Sequence, residues 1–177
     1  GRQFGLTCDS LQRVRMVDGT GKVHDSKDNA ELLWACKGGG NGNFGIITEL
    51  EFNTHPTPTY FSSHRYKYRN LTPEAATQLA ERWFELMKNL PNTAYSSWVL
   101  NGKHLTVLLT DTAPTPSATL KIILAKLKTG ATEVMTPRKD SFLAGIQRYK
   151  GGVDPMYFKN VSAGYYHSFS DIKTLLP

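Results

Sequence analysis

Apolar positions along the chain recur first at every second residue and later at every third or fourth. LQRVRMV (11–17) alternates and predicts a strand. DGTG (18–21) has turn chemistry, because glycine takes positive φ at little cost, and KVHDS returns as the second strand of a hairpin. Asp28 or Asn29 caps a short helix, AELLWAC, with Leu32, Leu33 and Trp34 available to pack. A glycine-rich loop follows. Beyond it, Phe44, Ile46, Thr48, Leu50 and Phe52 fall on one strand face, and Ile47, Glu49 and Glu51 on the other. Two prolines in HPTPT (55–59) end that strand. The boundary placed there divides the chain into domains 1–57 and 58–177.

From residue 60 the pattern changes. YFSSHRYKY is a strand, and Thr72-Pro73 is a favoured helix entry. Ala76, Leu79, Ala80, Trp83, Leu86, Met87 and Leu90 share one helical face. AYSSWVL and KHLTVLLT flank Asn101-Gly102, a strong hairpin signal. PTPS opens another helix with Leu120, Ile123, Leu124 and Leu127 on one stripe, and Gly130 suits its end. ATEVMT closes the set as a strand, SFLAGIQRYK (141–150) predicts a further helix, and the tail has turn and extended character. The order β-α-β-β-α-β predicts an α+β fold, a ferredoxin-like antiparallel sheet with helices on one face. Its other face is left for a cover or a ligand.

Composition narrows the function classes. The chain has 177 residues, 40% hydrophobic and 20% charged, an ordinary soluble globular balance. No stretch approaches the ~18 apolar residues of a membrane span. The net charge of +6 comes from scattered Lys and Arg, with Arg138-Lys139 the longest run. That distribution describes a solvated surface and argues against a nucleic-acid partner. HRYKYR (64–69) does interleave aromatic and basic residues, which an alternating surface strand explains equally well. Cys8 and Cys36 have neither disulfide-scaffold nor zinc-ligand spacing, and no metal site is expected.

The loop between helix and strand carries the chemistry. Residues 40–45, GNGNFG, match G-x-G-x-x-G. That pattern binds a dinucleotide when it follows a strand and opens a helix, whose N-terminus then faces the phosphates. Here IITELEF follows, which alternates like a strand, and no G-K-[ST] occurs. Both common nucleotide motifs are therefore rejected on context. Two readings stay open on mechanism alone: a cradle that lets a phosphate or cofactor approach the backbone, or a flexible connection between helix and strand.

With their neighbours, these residues become recognisable. LLWACKGGGNGNFGIITELEF, preceded by FGLTCDSLQRVRMVDGTGKV, closely resembles the FAD-binding region of the vanillyl-alcohol-oxidase, PCMH-type flavoproteins, in their berberine-bridge-enzyme-like branch. The match covers residues 1–57 through Gly5-Leu6, Asp9, Gly19, Leu33-Trp34-Ala35, Gly38 to Gly40, Asn43-Phe44-Gly45 and Thr48. The resemblance implies the C-terminal part of an FAD-binding domain at 1–57 and an incomplete substrate-binding domain at 58–177. It implies an FAD-dependent oxidoreductase acting on an alcohol, sugar or secondary metabolite by hydride transfer to the flavin. Gly38, Gly39, Gly40, Gly42, Asn43, Phe44, Gly45, Ile46 and Ile47 would line the FAD, with Gly5, Leu6 and Asp9 near the same wall.

The family's N-terminal FAD subdomain, with its flavin-bonding His, and its C-terminal segment have no counterpart in these residues. The chain is expected to be a fragment, inactive alone and binding FAD weakly or not at all. Tyr165, Tyr166 and His167 are the candidate substrate contacts, although strand packing with polar tips outward accounts for them more simply. No catalytic residue is assigned. The alternative function is a non-enzymatic binding or interaction module using the open sheet face.

Overall fold

The computed structural model describes residues 1–40, 42–147, 168–173 and 176. It divides into two compact units, Gly1–Pro56 and Thr57–Pro177. Tyr165, Tyr166 and His167 lie outside the described residues.

In the first unit, a 3₁₀ turn (Thr7–Ser10) leads into β1 (Leu11–Val17), β2 (Val23–Asp25), α1 (Ala30–Cys36) and β3 (Ile46–Phe52). The sheet is antiparallel in the order β2-β1-β3. The β1–β2 turn is held by Asp18, whose Oδ1 accepts from the Thr20 and Lys22 N–H groups and the Thr20 hydroxyl. Asn29 caps α1 by accepting from the Glu31 N–H. Leu11, Val14, Met16 and Leu32 form the small core. Trp34, expected to pack, is 80% exposed.

Register decides which face each side chain takes. The β1–β3 ladder runs Val14↔Leu50 and Arg15↔Glu49, then jumps to Met16↔Ile47. One residue of β3 is left over, and a bulge of this kind reverses the alternation beyond it. Ile47 therefore joins Leu50 and Phe52 on one face of a pocket, and Ile46 and Thr48 do not. This corrects the strict alternation expected from the sequence. The opposite face carries a charge ladder: Arg13 meets Asp25 at 2.6 Å and Glu49 at 3.1 Å, and Arg15 meets Glu49 at 3.2 Å.

The second unit runs β4 (Tyr60–Tyr68), α2 (Pro73–Met87), β5 (Ala94–Asn101), β6 (His104–Asp111), α3 (Ala118–Lys128), β7 (Glu133–Val134), β8 (Arg138–Ser141), α4 (Phe142–Gln147) and α5 (Phe169–Lys173). The strand order β5-β6-β4-β7 with antiparallel pairing is the ferredoxin-like arrangement. Thr72 and Ser117 cap α2 and α3 by accepting from Ala75 and Leu120 N–H groups. Helices cover one face, where Tyr66, Tyr68, Leu105, Val107 and Leu109 meet Leu120, Ile123 and Leu127. Each fully buried Leu contributes roughly 1.5–3 kcal/mol relative to exposure. The Tyr68 hydroxyl donates to the Leu127 carbonyl, and Trp83 Nε1 donates to Ser96 Oγ at 2.9 Å.

Four local expectations change. Asn101 pairs with His104, so the two-residue turn is Gly102-Lys103. Gly102 has φ +54°, the positive value a primed hairpin turn needs at its first central residue. The last strand shrinks to Glu133–Val134, and the polar edge strand β8 pairs beside it on β4. Part of the tail is helical, α5, with Phe169 against Phe84 at 6.3 Å between ring centres. No described helix is long and apolar enough to cross a membrane.

Candidate functional site

The glycine loop leaves the end of α1 and enters β3, and its backbone explains its composition. Gly38, Gly40, Gly42 and Gly45 all have positive φ, at +142°, +99°, +70° and +149°. A side chain there is strained whatever the space around it. Gly45 is also closed in: a Cβ would strike the Val17 carbonyl and the Met16 side chain. Gly39 is confined too, because a Cβ would come within 2.5 Å of the Ala35 carbonyl. Around Gly38 and Gly42 there is open space instead. Asn43 ties the loop together by donating from Nδ2 to the Gly39 carbonyl at 2.8 Å.

The loop borders a pocket of about 330 Å³. Gly40, Gly42, Asn43, Phe44 and Gly45 form one side, and Ile47, Leu50 and Phe52 of β3 form another. Thr7, Cys8, Leu11 and Cys36 complete it. No described lining residue is charged. Burial pushes the Cys36 thiol up from its ordinary value, which keeps it protonated and weakly nucleophilic at neutral pH. Among the described residues the lining thus offers apolar surface, backbone groups, the Thr7 hydroxyl, the Asn43 amide and two thiols, with no carboxylate, histidine or lysine.

A neighbouring pocket of about 270 Å³ shares Thr7 and Phe52 with the first and is lined also by Gly5, Leu6, Ser10 and His55. Gly5 has φ +73°, and a Cβ there would meet Asp9 Oδ2 at 2.6 Å. Asp9 accepts from the Leu6 N–H at 2.8 Å and so holds the turn from behind. His55 stacks on Phe4 at 4.3 Å and lies 3.2 Å from Ser10 Oγ.

Of the residues singled out from sequence, Gly40, Gly42, Asn43, Phe44 and Gly45 therefore meet at the first pocket, and Gly5 and Leu6 at the second. Asp9, Gly38, Gly39 and Ile46 line neither. Sequence reasoning placed Ile47 with the loop and missed Thr7, Cys8, Leu11, Cys36, Leu50 and Phe52. The available signal was nearness: each sits within or next to the stretches that carry the motif.

No family model matches the chain. Among proteins of known sequence, berberine bridge enzyme-like 8 of Arabidopsis thaliana is 34% identical over 110 residues, covering 60% of this chain and 20% of that protein. The FAD-linked oxidoreductase aurO of Gibberella zeae is 42% identical over 59 residues, 33% of this chain and 12% of that one. The chain is related to the berberine bridge enzyme-like, FAD-linked oxidoreductases. The matched stretches are a fifth or less of these relatives' length. The fold agrees. Xylooligosaccharide oxidase from Myceliophthora thermophila C1, solved with xylobiose, superposes with a TM-score of 0.69 over 86% of this chain and 33% of that one, at 17% identity. The α+β architecture of this chain is thus shared with about a third of that oxidase.

Proposed function

We propose that this chain supplies one wall of an FAD site and the substrate-facing sheet of an oxidoreductase that oxidises an alcohol, sugar or secondary metabolite. The observation that carries the reading is the glycine loop entering β3 around an apolar, uncharged pocket. FAD fits such a wall. Open space beside Gly38 and Gly42 leaves backbone free for close approach by a cofactor, and backbone N–H groups there can serve its phosphates. Phe44, Ile47, Leu50 and Phe52 offer apolar contact to its flat rings. The fold supports the reading, and so do the relatives named as FAD-linked oxidoreductases.

In this reading, Gly38, Gly39, Gly40, Gly42, Asn43, Phe44, Gly45 and Ile46 form the cofactor wall, and Gly5, Leu6 and Asp9 shape its continuation. Bound FAD would supply the hydride acceptor. The chain's own residues bind it and exclude water from its rings. Asn43 fixes the loop, and the bulge in β3 turns Ile47 toward the pocket. Tyr165, Tyr166 and His167 are proposed substrate contacts. The 1–57 and 58–177 segments are proposed as the cofactor and substrate domains. The experiment is to express the gene's complete reading frame and record its absorption spectrum. A yellow protein with flavin bands is expected. A correctly folded, colourless product that stays colourless with added FAD would overturn the reading.

A further inference from the structure

We infer that Asn101 is a modification site, where water converts the side-chain amide to aspartate and isoaspartate through a cyclic imide. Ring closure needs a main-chain N–H on the next residue that can attack, no Cβ blocking it, and an amide side chain at liberty to meet it. The turn between β5 and β6 brings these together. Asn101 pairs with His104, so it stands directly before the two-residue turn Gly102-Lys103. Gly102 has φ +54°, open space where a Cβ would stand and no side chain to shield its nitrogen. Neither the Gly102 N–H nor the Asn101 side chain has a hydrogen bond among the described residues. All four residues from Asn101 to His104 are exposed, so water reaches the reacting atoms.

The other described asparagines lack this combination. Asn53, Asn70, Asn89 and Asn92 precede Thr, Leu, Leu and Thr, whose side chains crowd the attacking nitrogen. The N–H after Asn70 is also tied to the Lys103 carbonyl at 2.9 Å, and the N–H after Asn89 to the Met87 carbonyl at 3.2 Å. The Asn29 side chain is held by the Glu31 N–H, and that of Asn43 by the Gly39 carbonyl. At Asn101 the atoms balance with water alone. The Gly102 nitrogen loses its proton and bonds to Asn101 Cγ; the Cγ–Nδ2 bond breaks, and ammonia leaves with that proton. Water then opens the imide. Cleavage at Cγ leaves aspartate, and cleavage at the main-chain carbonyl leaves isoaspartate. Nothing is oxidised or reduced. Isoaspartate routes the chain through Cβ and Cγ, adding a main-chain carbon and a negative charge, and the Asn101↔His104 register cannot close across it. Its α-carboxylate is a substrate group for a carboxyl methyltransferase that uses S-adenosylmethionine.

The test ages the 177-residue chain at neutral pH and follows each asparagine by peptide mapping and tandem mass spectrometry. Labelling by isoaspartyl methyltransferase with radioactive S-adenosylmethionine is the second readout. The mass gain of amide-to-acid conversion is expected at Asn101 severalfold faster than at Asn89 and Asn92, with isoaspartate as the major product. G102D should slow the conversion severalfold, because aspartate accepts positive φ while its Cβ shields the nitrogen. Asn41, the other asparagine before a glycine, lies outside the described residues, and its peptide is read apart. The inference is overturned if Asn101 converts no faster than Asn89 and Asn92, a comparison within the natural chain that stands whether or not G102D folds. It is overturned equally if aspartate is the sole product, or if folded G102D converts as fast as the natural chain.

Discussion

Strands β3 and β6 use similar alphabets to different ends. In β6, HLTVLLTD, every second residue from Leu105 to Asp111 is buried. In β3, IITELEF, every residue is exposed. The apolar residues of β6 meet Leu120, Ile123 and Leu127 on α3, forming a filled core. Those of β3 meet the glycine loop across a pocket. An alternating strand therefore specifies that one face is apolar, and the surrounding elements decide whether that face becomes core or site.

The contrast can be broken most directly by truncating matching leucines. Leu109→Ala should destabilise the second unit by about 2–5 kcal/mol, because the site is sealed and leaves a cavity. Leu50→Ala, at a residue 49% exposed, should change the first unit by only about 0.5 kcal/mol. Site-resolved amide exchange separates the two, and equal losses would dissolve the distinction. Next in size, Gly45→Ala should cost the first unit more than about 1 kcal/mol, through φ +149° and the collision with the Val17 carbonyl. Gly19→Ala, with open space and no positive φ, serves as its neutral counterpart in the same measurement. Thr72→Ala should remove about 1 kcal/mol from the second unit by uncapping α2, read as a lowered denaturation midpoint.

The smallest expected effect is a difference in acid response. Burial holds His64 of the second unit below its ordinary value of 6.5. The unfolded chain then binds the proton more readily, so this contribution is present above pH 6.5 and is lost as pH falls through the lower folded value. In the first unit, hydrogen bonds from Thr20 and His24 depress Asp18, and hydrogen bonds from Arg13 and Lys27 depress Asp25. Their contribution is fully present above the ordinary 3.8 and is lost only as pH falls further. Acidification from neutrality should therefore weaken the second unit before the first. H64Q should flatten the earlier phase in pH-dependent unfolding curves.

Much of the second unit was legible because its local signals agree. Thr72-Pro73 and Ser117 start helices, the stripes on α2 and α3 have helical spacing, and the strands alternate. Edge strand β8, RKDS, was illegible because it has no apolar face. In the first unit, the glycine loop stood out because positive φ nearly demands glycine. The rest of its pocket did not stand out. Leu11, Leu50 and Phe52 have the letters of core residues, and the bulge that turns Ile47 inward is a property of pairing between strands. Trp34 reads as a packing residue by composition, yet no described element covers most of it.

The central claim is that the glycine loop and β3 form a flavin-binding wall. Its most direct test is the flavin content of the protein made from the complete reading frame, compared with that of G42V. Gly42 has φ +70° and open space around it, so a branched side chain there projects where a cofactor would approach. The account predicts flavin bands in the natural protein and loss of most of the flavin from a variant whose second unit unfolds as before. A folded natural protein that takes up no FAD, or a G42V protein that retains its full complement, would contradict it.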